Sequence, residues 1–279
     1  MKYLQNRSVC DMMYTFRKET TEKGGEAMGP IIAVVNQKGG VGKTTTAVSL
    51  TAALHGLGKK VLMCDFDPQA NATSGLGVEK KQVKHSSYDI LISDVKAEES
   101  IVHTNFGDVI PSTSALAGAA IELIDVPKRE YSLKRALASV KDRYDYIFID
   151  SPPSLELLTL NALCAADSIL IPVQCEYFAL EGLSDLMTTL RAVKRKLNPK
   201  LDIFGVILTM YDGRTNFSNQ VAEEVRRHFP GKVYRNVIPR NVRLAEAPSH
   251  GLPVMAYDRR SIGSKAYMAV AEEILRKNS

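Results

Sequence analysis

The sequence predicts an α/β fold: a doubly wound, mostly parallel sheet of about seven or eight strands with helices on both faces. Short apolar runs alternate with longer segments of helical spacing, which is typical of parallel strands joined by helices. The runs are almost continuously Val, Ile and Leu, as expected of strands that are covered on both faces. They lie at 31–35, 61–64, 109–110, 146–149, 168–173, 204–208 and 233–238.

The segment after the first run has the spacing of a helix, because four apolar residues share one face: Ala47, Leu50, Leu54 and Leu57. Gly56 and Gly58 mark its end. Residues 1–28 are polar and lack periodicity, so we predict a flexible extension followed by one large domain over 29–279. Met28 directly precedes this domain, and the extension is either a misplaced start or a true appendage.

Composition excludes several classes of protein. Of the 279 residues, 45% are apolar and 24% charged, which is ordinary for a soluble globular chain. No stretch approaches the roughly 18 consecutive apolar residues of a membrane helix, and the charged first 28 residues do not resemble a secretory signal. We therefore expect a cytoplasmic protein. The four cysteines include no C-x-x-C pair and give no support for a zinc site, a cluster site or disulfides.

A glycine-rich loop follows the first strand and precedes the first helix, which is the context that a P-loop requires. Glycines let successive N–H groups point inward and form an anion site at the helix N-terminus. Lys43 supplies a charge for the β- and γ-phosphates, Thr44 is placed to ligate Mg²⁺, and Thr45 can reach an α-phosphate. The residues predicted to bind ATP here are Gln37, Gly39, Gly40, Val41, Gly42, Lys43, Thr44 and Thr45.

The loop departs from the ordinary P-loop pattern because Gln37 stands where the first glycine belongs, and a second lysine, Lys38, follows it. A lysine at the start of the loop has no obvious phosphate of its own subunit to bind. We predict that Lys38 crosses a dimer interface and neutralises charge at the partner's nucleotide, as an arginine finger does.

Two acidic motifs end later strands, where ligands bind in open α/β sheets. Asp65 and Asp67 follow the run at 61–64, and Asp150 follows the run at 146–149. We assign Asp150 to the Mg²⁺ side of the site and Asp67 to the positioning of the attacking water, on a loop 67–73 that looks mobile and polar. Asp65 either assists metal binding or supports the loop.

Charge is unevenly distributed along the chain. Residues 191–279 carry 17 Lys and Arg against 8 Asp and Glu, whereas residues 1–190 carry 19 against 23. A basic third suggests an anionic polymer or a membrane surface as partner. Part of it, from Arg191 to Lys200, also fits the solvated face of an ordinary helix.

The motifs together resemble the ParA/Soj family of partitioning ATPases, within the deviant Walker A group that includes MinD. The resemblance extends over residues 31–275. It is carried by N-Q-K-G-G-V-G-K-T-T-T (36–46), D-F-D-P-Q-A-N-A-T-S-G-L-G (65–77), D-S-P-P-S (150–154), P-V-Q-C-E-Y-F-A-L-E-G-L (172–183), L-T-M-Y-D-G-R-T (208–215) and V-I-P-R-N-V-R-L-A-E-A-P-S-H-G (237–251).

This resemblance implies an ATP-dependent homodimer that binds double-stranded DNA without sequence preference, releases it on hydrolysis and is associated with the nucleoid. It implies stimulation by the centromere-binding partner ParB, called Spo0J in some bacteria. By motif, Lys38, Lys43, Asp67 and Asp150 are the catalytic residues. Met210 and Pro239 match positions that flank adenine, and Arg214 and Arg243 match arginines that contact DNA. Arg240 could serve either DNA or the nucleotide.

Other functions remain as alternatives. A membrane-surface ATPase needs a C-terminal amphipathic helix, whereas the pattern over 266–275 is short and predicts packing on the sheet. An enzyme acting on a small metabolite shares the fold, so the fold alone does not reject it. A binding module that does not hydrolyse ATP is a third alternative.

Overall fold

Seven strands of the described residues form one sheet, in the order β3-β4-β2-β5-β1-β6-β7. The computed structural model describes residues 29–154, 156–176 and 179–278. The extension predicted over residues 1–28 lies outside these residues. The strands are β1 (Ile31–Val34), β2 (Val61–Asp65), β3 (Val102–Thr104), β4 (Gly107–Ile110), β5 (Tyr146–Asp150), β6 (Ser168–Gln174) and β7 (Asp202–Thr209).

Helices join the strands and cover the sheet. They are α1 (Lys43–Gly56), α2 (Asn71–Gly75), α3 (Asp89–Ile92), α4 (Leu116–Glu122), α5 (Ser132–Leu137), α6 (Leu157–Ala165), α7 (Ala179–Lys196), α8 (Asn216–His228), α9 (Val242–Glu246), α10 (Val254–Tyr257) and α11 (Ile262–Asn278). No helix in the described part of the chain is both long and apolar enough to span a membrane.

The sheet is mostly parallel, as predicted. β1 pairs in parallel with β5 and β6, β2 pairs in parallel with β4 and β5, and only the β3–β4 pair among the seven described strands is antiparallel. The β2–β5 register places Asp65 opposite Asp150. Both carboxylates therefore stand at the carboxyl edge of the sheet, on neighbouring strands.

Side chains alternate between two cores, one on each face of the sheet. In β1, Ile31 and Ala33 pack with residues of α5, α6, α7 and α8, whereas Ile32 and Val34 pack with residues of α1 and α11. Helices therefore cover both faces, and the predicted doubly wound architecture is confirmed.

The prediction of a strand at 233–238 is wrong. The segment runs beside β7 but makes only isolated bridges, Val206 with Val233 and Tyr211 with Pro239. Between these bridges, the N–H groups of Arg235 and Asn236 donate to the carboxylate of Glu273 on α11 and not to β7. A side chain on the neighbouring helix thus takes the place of the strand partner.

Two other elements differ from the sequence prediction. β3 is short and contains one apolar residue, Val102, so it lacks the apolar run that identified the other strands. The segment 67–73, predicted to be a mobile loop, enters helix α2 at Asn71, with Ala72 and Thr73 buried. The helix predicted after the first strand is present, but its buried residues extend beyond the predicted apolar face because α11 also packs on it.

Candidate nucleotide-binding site

The glycine-rich loop turns sharply between β1 and α1. Gly40 and Gly42 have φ angles of 74° and 90°, a left-handed conformation that favours glycine. Gly42 is the N-cap of α1, where no side chain caps the helix and no acidic residue lies in the first turn. A Cβ on Gly39 or Gly40 would meet no atom within 4 Å. The open side of the loop thus presents backbone N–H groups to an anion.

Two buried side chains, one just after β1 and one at the end of β7, hold the loop in place. Asn36 donates from Nδ2 to the carbonyl of Pro172 and accepts the N–H of Lys38 on Oδ1. Thr209, at the end of β7, donates its hydroxyl to the carbonyl of Val41, 2.8 Å away. Asn36 and Thr209 both lie within the quoted motifs, but neither is among the predicted site residues.

Lys43 closes the loop from inside. Its Nζ lies 3.2 Å from the carbonyl oxygen of Lys38, and the residue is only 8% exposed. Burial lowers the pKa of this ammonium, and the charges of Asp150 and Asp67 act in the opposite direction. Lys43 and these two carboxylates, far apart in sequence, are therefore brought into one electrostatic group.

Asp150 is fully buried, and neither of its carboxylate oxygens has a hydrogen-bond donor of good geometry among the described residues. Burial, followed by the charge of Asp65, raises its pKa well above the ordinary value, while the Thr44 hydroxyl and Lys43 favour the charged form. An unsatisfied buried carboxylate beside a threonine hydroxyl is a suitable environment for a hydrated cation.

Asp65 has a different environment, although it is equally buried. Oδ2 accepts both the N–H and the hydroxyl of Thr73, and Oδ1 accepts the N–H of Asp67. Burial raises the pKa of Asp65 to about 6. Two roles were predicted for Asp65, metal binding and support of the loop. These bonds favour the second role, because they hold the segment that follows β2.

Asp67 is half-buried at the beginning of that segment, and its Oδ1 accepts the N–H of Gln69. Its charge acts on Lys43 and Asp150, so it belongs to the same electrostatic group. The water-positioning role of Asp67 stays a prediction.

Gln37, before the glycine-rich loop, lies near α7 with its amide 3.4 Å from the Thr189 hydroxyl.

Met210 and Pro239, predicted to flank adenine, are adjacent. Tyr211, the neighbour of Met210, forms the isolated bridge with Pro239, and Met210 itself has a φ of 50°. The hydrogen bond from Thr209 to the glycine-rich loop connects this pair to the phosphate site. A cleft of about 510 Å³ opens at Thr44 and Thr45 between α1, α2 and residues 244–254. Met210 and Pro239 do not line it, so their contact with the base stays a prediction.

Arg214 and Arg243, predicted to contact DNA, are both exposed and both paired with nearby carboxylates. The guanidinium of Arg214 makes two hydrogen bonds to Asp212, at 2.9 and 2.7 Å. Arg243 bonds Glu246 at 2.7 Å and lies 3.4 Å from Asp258. Within the run 191–200, the Lys194 side chain is buried and does not contribute to a solvated face.

Comparison with known proteins identifies the family. A family profile described as an AAA domain matches residues 29–203. The sporulation initiation inhibitor protein Soj of Bacillus subtilis is 59% identical over 249 residues, which cover 88% of this chain and 98% of that protein. The chromosome-partitioning ATPase Soj of Treponema pallidum is 48% identical over 90% of this chain and 99% of its own length. The chain belongs to the Soj/ParA family of chromosome-partitioning ATPases.

Solved structures agree with this membership of the Soj/ParA family. A Mycobacterium smegmatis protein described as cobyrinic acid a,c-diamide synthase, with bound ADP and magnesium, has a TM-score of 0.78 and 38% identity over 89% of this chain and 95% of its own. MinD of Pyrococcus horikoshii, complexed with Mg-ADP, has a TM-score of 0.74 and 28% identity over 88% of this chain and 96% of its own. The nucleotide-binding fold is thus shared across the group.

Proposed function

We propose that this protein is an ATP-dependent dimeric switch, which binds DNA non-specifically in its ATP state and releases it on hydrolysis. It acts in chromosome or plasmid partitioning together with a ParB-type partner. The observation that carries the proposal is the group formed by Lys43, Thr44 and Asp150, in which a buried carboxylate without a hydrogen bond of good geometry stands beside the Thr44 hydroxyl and an uncapped helix N-terminus.

The residues present fit ATP and Mg²⁺. The N–H groups of Gly39–Thr45 would receive the phosphates, with Lys43 as the charge at the β- and γ-phosphates. No group of three or more His, Cys, Asp or Glu in the described residues is arranged to hold a metal ion. Thr44 would therefore hold Mg²⁺ together with phosphate oxygens and water, and Asp150 would accept hydrogen bonds from that water.

Hydrolysis is an in-line attack of water on the γ-phosphorus that releases ADP and phosphate. Mg²⁺, when bound, neutralises charge on the phosphate oxygens. Asp67 would orient the attacking water, and its position at the end of β2 is maintained through Asp65. Lys43 holds the triphosphate, and we propose that Lys38 of the second subunit completes the site. The expected turnover is slow and stimulated by the ParB-type partner.

The DNA-binding part of the proposal rests on charge. Arg214 has a side chain that is 90% exposed, and Arg243 one that is 46% exposed. Both follow the carboxyl edge of the sheet, after β7 and after Pro239, so the nucleotide site and these arginines are connected by short segments. Arginines of this kind contact phosphates without reading sequence. An association with the nucleoid is the expected result of such binding.

A metabolic enzyme is the second candidate, because one similar solved structure is described as a diamide synthase.

A gel-shift experiment distinguishes the DNA-binding switch from the metabolic enzyme. Unrelated DNA duplexes are titrated with the protein in MgATP, in MgADP or without nucleotide, and Lys38→Ala serves as the dimerisation variant. We expect binding to every duplex only with MgATP, and none by Lys38→Ala although it still binds ATP. Binding that is absent in MgATP, or the same in all three conditions, would reject the switch.

A further inference from the structure

We infer that Glu273, on the C-terminal helix α11, is a positioning residue that fixes the base-flanking segment and thereby determines the preference for adenine. The inference rests on the proposed roles of Met210 and Pro239. Glu273 lies far from the phosphate loop in sequence and belongs to none of the motifs quoted above. It is 5% exposed although it carries a carboxylate.

The segment 233–239 contains two residues more than a regular ladder with β7 permits. Tyr234 donates its N–H to the carbonyl of Val206, and the next carbonyl on that side of β7, Leu208, accepts the N–H of Ile238. In a regular parallel ladder, the donor to Leu208 would be Asn236, two residues after Tyr234. The additional residues form a bulge, a feature that changes the direction of the chain beyond it.

Glu273 accepts the N–H of Asn236, which the bulge removes from the ladder, and also that of the preceding Arg235. Its carboxylate accepts the N–H of Arg235 at 3.0 Å, and the N–H and side-chain amide of Asn236 at 3.2 and 2.9 Å. Burial raises the pKa of Glu273, but these donors outweigh burial and hold its pKa below the ordinary value. The carboxylate is thus charged and satisfied.

The bulge determines where Pro239 lies. After it, Ile238 donates to Leu208 and accepts the N–H of Tyr211, so that the chain just after β7 in turn has one additional residue, Met210, with a φ of 50°. The two bulges face each other at the position where Met210 and Pro239 are adjacent. Without the bulge, the segment would pair with β7 in a register shifted by two residues, and Pro239 would lie elsewhere along the strand.

The ring of Tyr234 packs tightly against β7 at the start of the segment. Its ring lies over Gly205 of β7, where a Cβ would come within 2.3 Å of the ring. Lys277, one turn after Glu273, has its Nζ 4.5 Å from the centroid of the same ring and 3.3 Å from the Glu273 carboxylate. Packing of Tyr234 therefore fixes the start of the segment 233–239. The position of its end, at Pro239, depends on the hydrogen bonds that Glu273 accepts.

Loss of Glu273 would leave two backbone N–H groups without their acceptor, which favours a shift of the segment toward the regular ladder. The base end of the site would change. The phosphate end would not, because its loop is held by Asn36 and Thr209. A residue that merely supported the fold would weaken both ends together.

The test measures dissociation constants of MgATP, MgGTP and magnesium tripolyphosphate for the parent, Glu273→Ala, Glu273→Gln and the control Glu272→Ala, whose residue is exposed on the same helix. For Glu273→Ala we expect ATP affinity to fall by about tenfold and tripolyphosphate affinity to change by less than about twofold. The preference for ATP over GTP should shrink. Glu273→Gln retains an acceptor for Asn236 and should restore part of that preference, and Glu272→Ala should match the parent.

An unchanged ATP-to-GTP ratio in Glu273→Ala, in a parent that prefers ATP, would overturn the inference. Equal losses for ATP and tripolyphosphate would also overturn it, because they would show a general defect. If Glu273→Ala does not fold, Glu273→Gln decides by the same ratio. A parent that binds ATP no more tightly than tripolyphosphate would instead remove the base-flanking roles of Met210 and Pro239.

Discussion

The phosphate end of the site and the exposed arginines differ in what holds their charges. Lys43, Asp65 and Asp150 are buried; Lys43 contacts the glycine-rich loop, and the two carboxylates stand opposite each other on neighbouring strands. Arg214 and Arg243 are exposed and paired with carboxylates two and three residues away. The chemistry at the phosphate end is thus set by the fold, whereas the charge available to DNA is set locally and can be altered without disturbing the sheet.

The largest effect should come from Asp150→Asn. Removing this charge takes away the acceptor for metal-bound water, and we expect ATP hydrolysis to fall by about 10- to 100-fold with a raised Mg²⁺ requirement. Turnover is measured as phosphate release over a Mg²⁺ titration. Asp142→Asn, at an exposed position before β5, is the matched control. Normal turnover in Asp150→Asn would show that the buried carboxylate is not part of the metal environment.

A smaller effect is expected from Arg214→Ala. Loss of a phosphate contact should weaken binding to any DNA sequence by about tenfold and lower the salt slope by about one per contact. Affinity is measured in MgATP at several salt concentrations, and Arg276→Ala, on the exposed end of α11, controls for net charge. If both variants lose affinity equally, Arg214 has no particular role and only the total charge matters.

The opposite change is expected from Asp212→Ala, which frees the guanidinium of Arg214. The pKa of Asp212 is lowered to about 2 by its hydrogen bonds with Arg214, so the carboxylate is charged at neutral pH and opposes an approaching phosphate. We expect DNA affinity to rise by about two- to fivefold with a steeper salt dependence. Affinity equal to that of the parent would mean that Arg214 leaves Asp212 at no cost when DNA binds.

The smallest effect concerns stability and pH. Burial raises the pKa of Asp65 to about 6. The folded protein therefore holds a proton more tightly than the unfolded chain, and the free energy of unfolding should fall by about 1–2 kcal/mol as pH rises from about 4 to about 6. Denaturant unfolding in EDTA without nucleotide measures it. Asp65→Asn should flatten this part of the profile, and an equally steep profile in that variant would assign the titration to another group.

The sequence predicted the sheet and the phosphate loop because both depend on local patterns. Continuous apolar runs identify strands that are covered on both faces, and the glycines identify the loop. It could not predict the bulge at 235–236, because that bulge depends on Glu273, which lies 37 residues or more away. It left two roles open for Asp65 because Thr73 becomes its partner only when α2 forms.

Residues on the surface present a different problem. Asp212 and Glu246 are close in sequence to the arginines that they pair with, so a search for acidic neighbours would have found both, whereas Asp258 is distant from Arg243 in sequence. Their presence says how each arginine is held in the folded domain, and the DNA-binding role of both arginines stays a prediction.

Helix α1 is buried at ten of its fourteen positions, and its Thr46 hydroxyl lies 3.0 Å from the buried Tyr267 hydroxyl of α11. Together with the Thr209 contact to the preceding loop, this makes α1 a stationary frame within the domain. Amide protons along it should exchange slowly with solvent whether or not nucleotide is present. The shorter elements beside it, α2 and residues 244–254, line the cleft at Thr44 and Thr45, and isotope labels placed there are the ones to follow for a response to nucleotide.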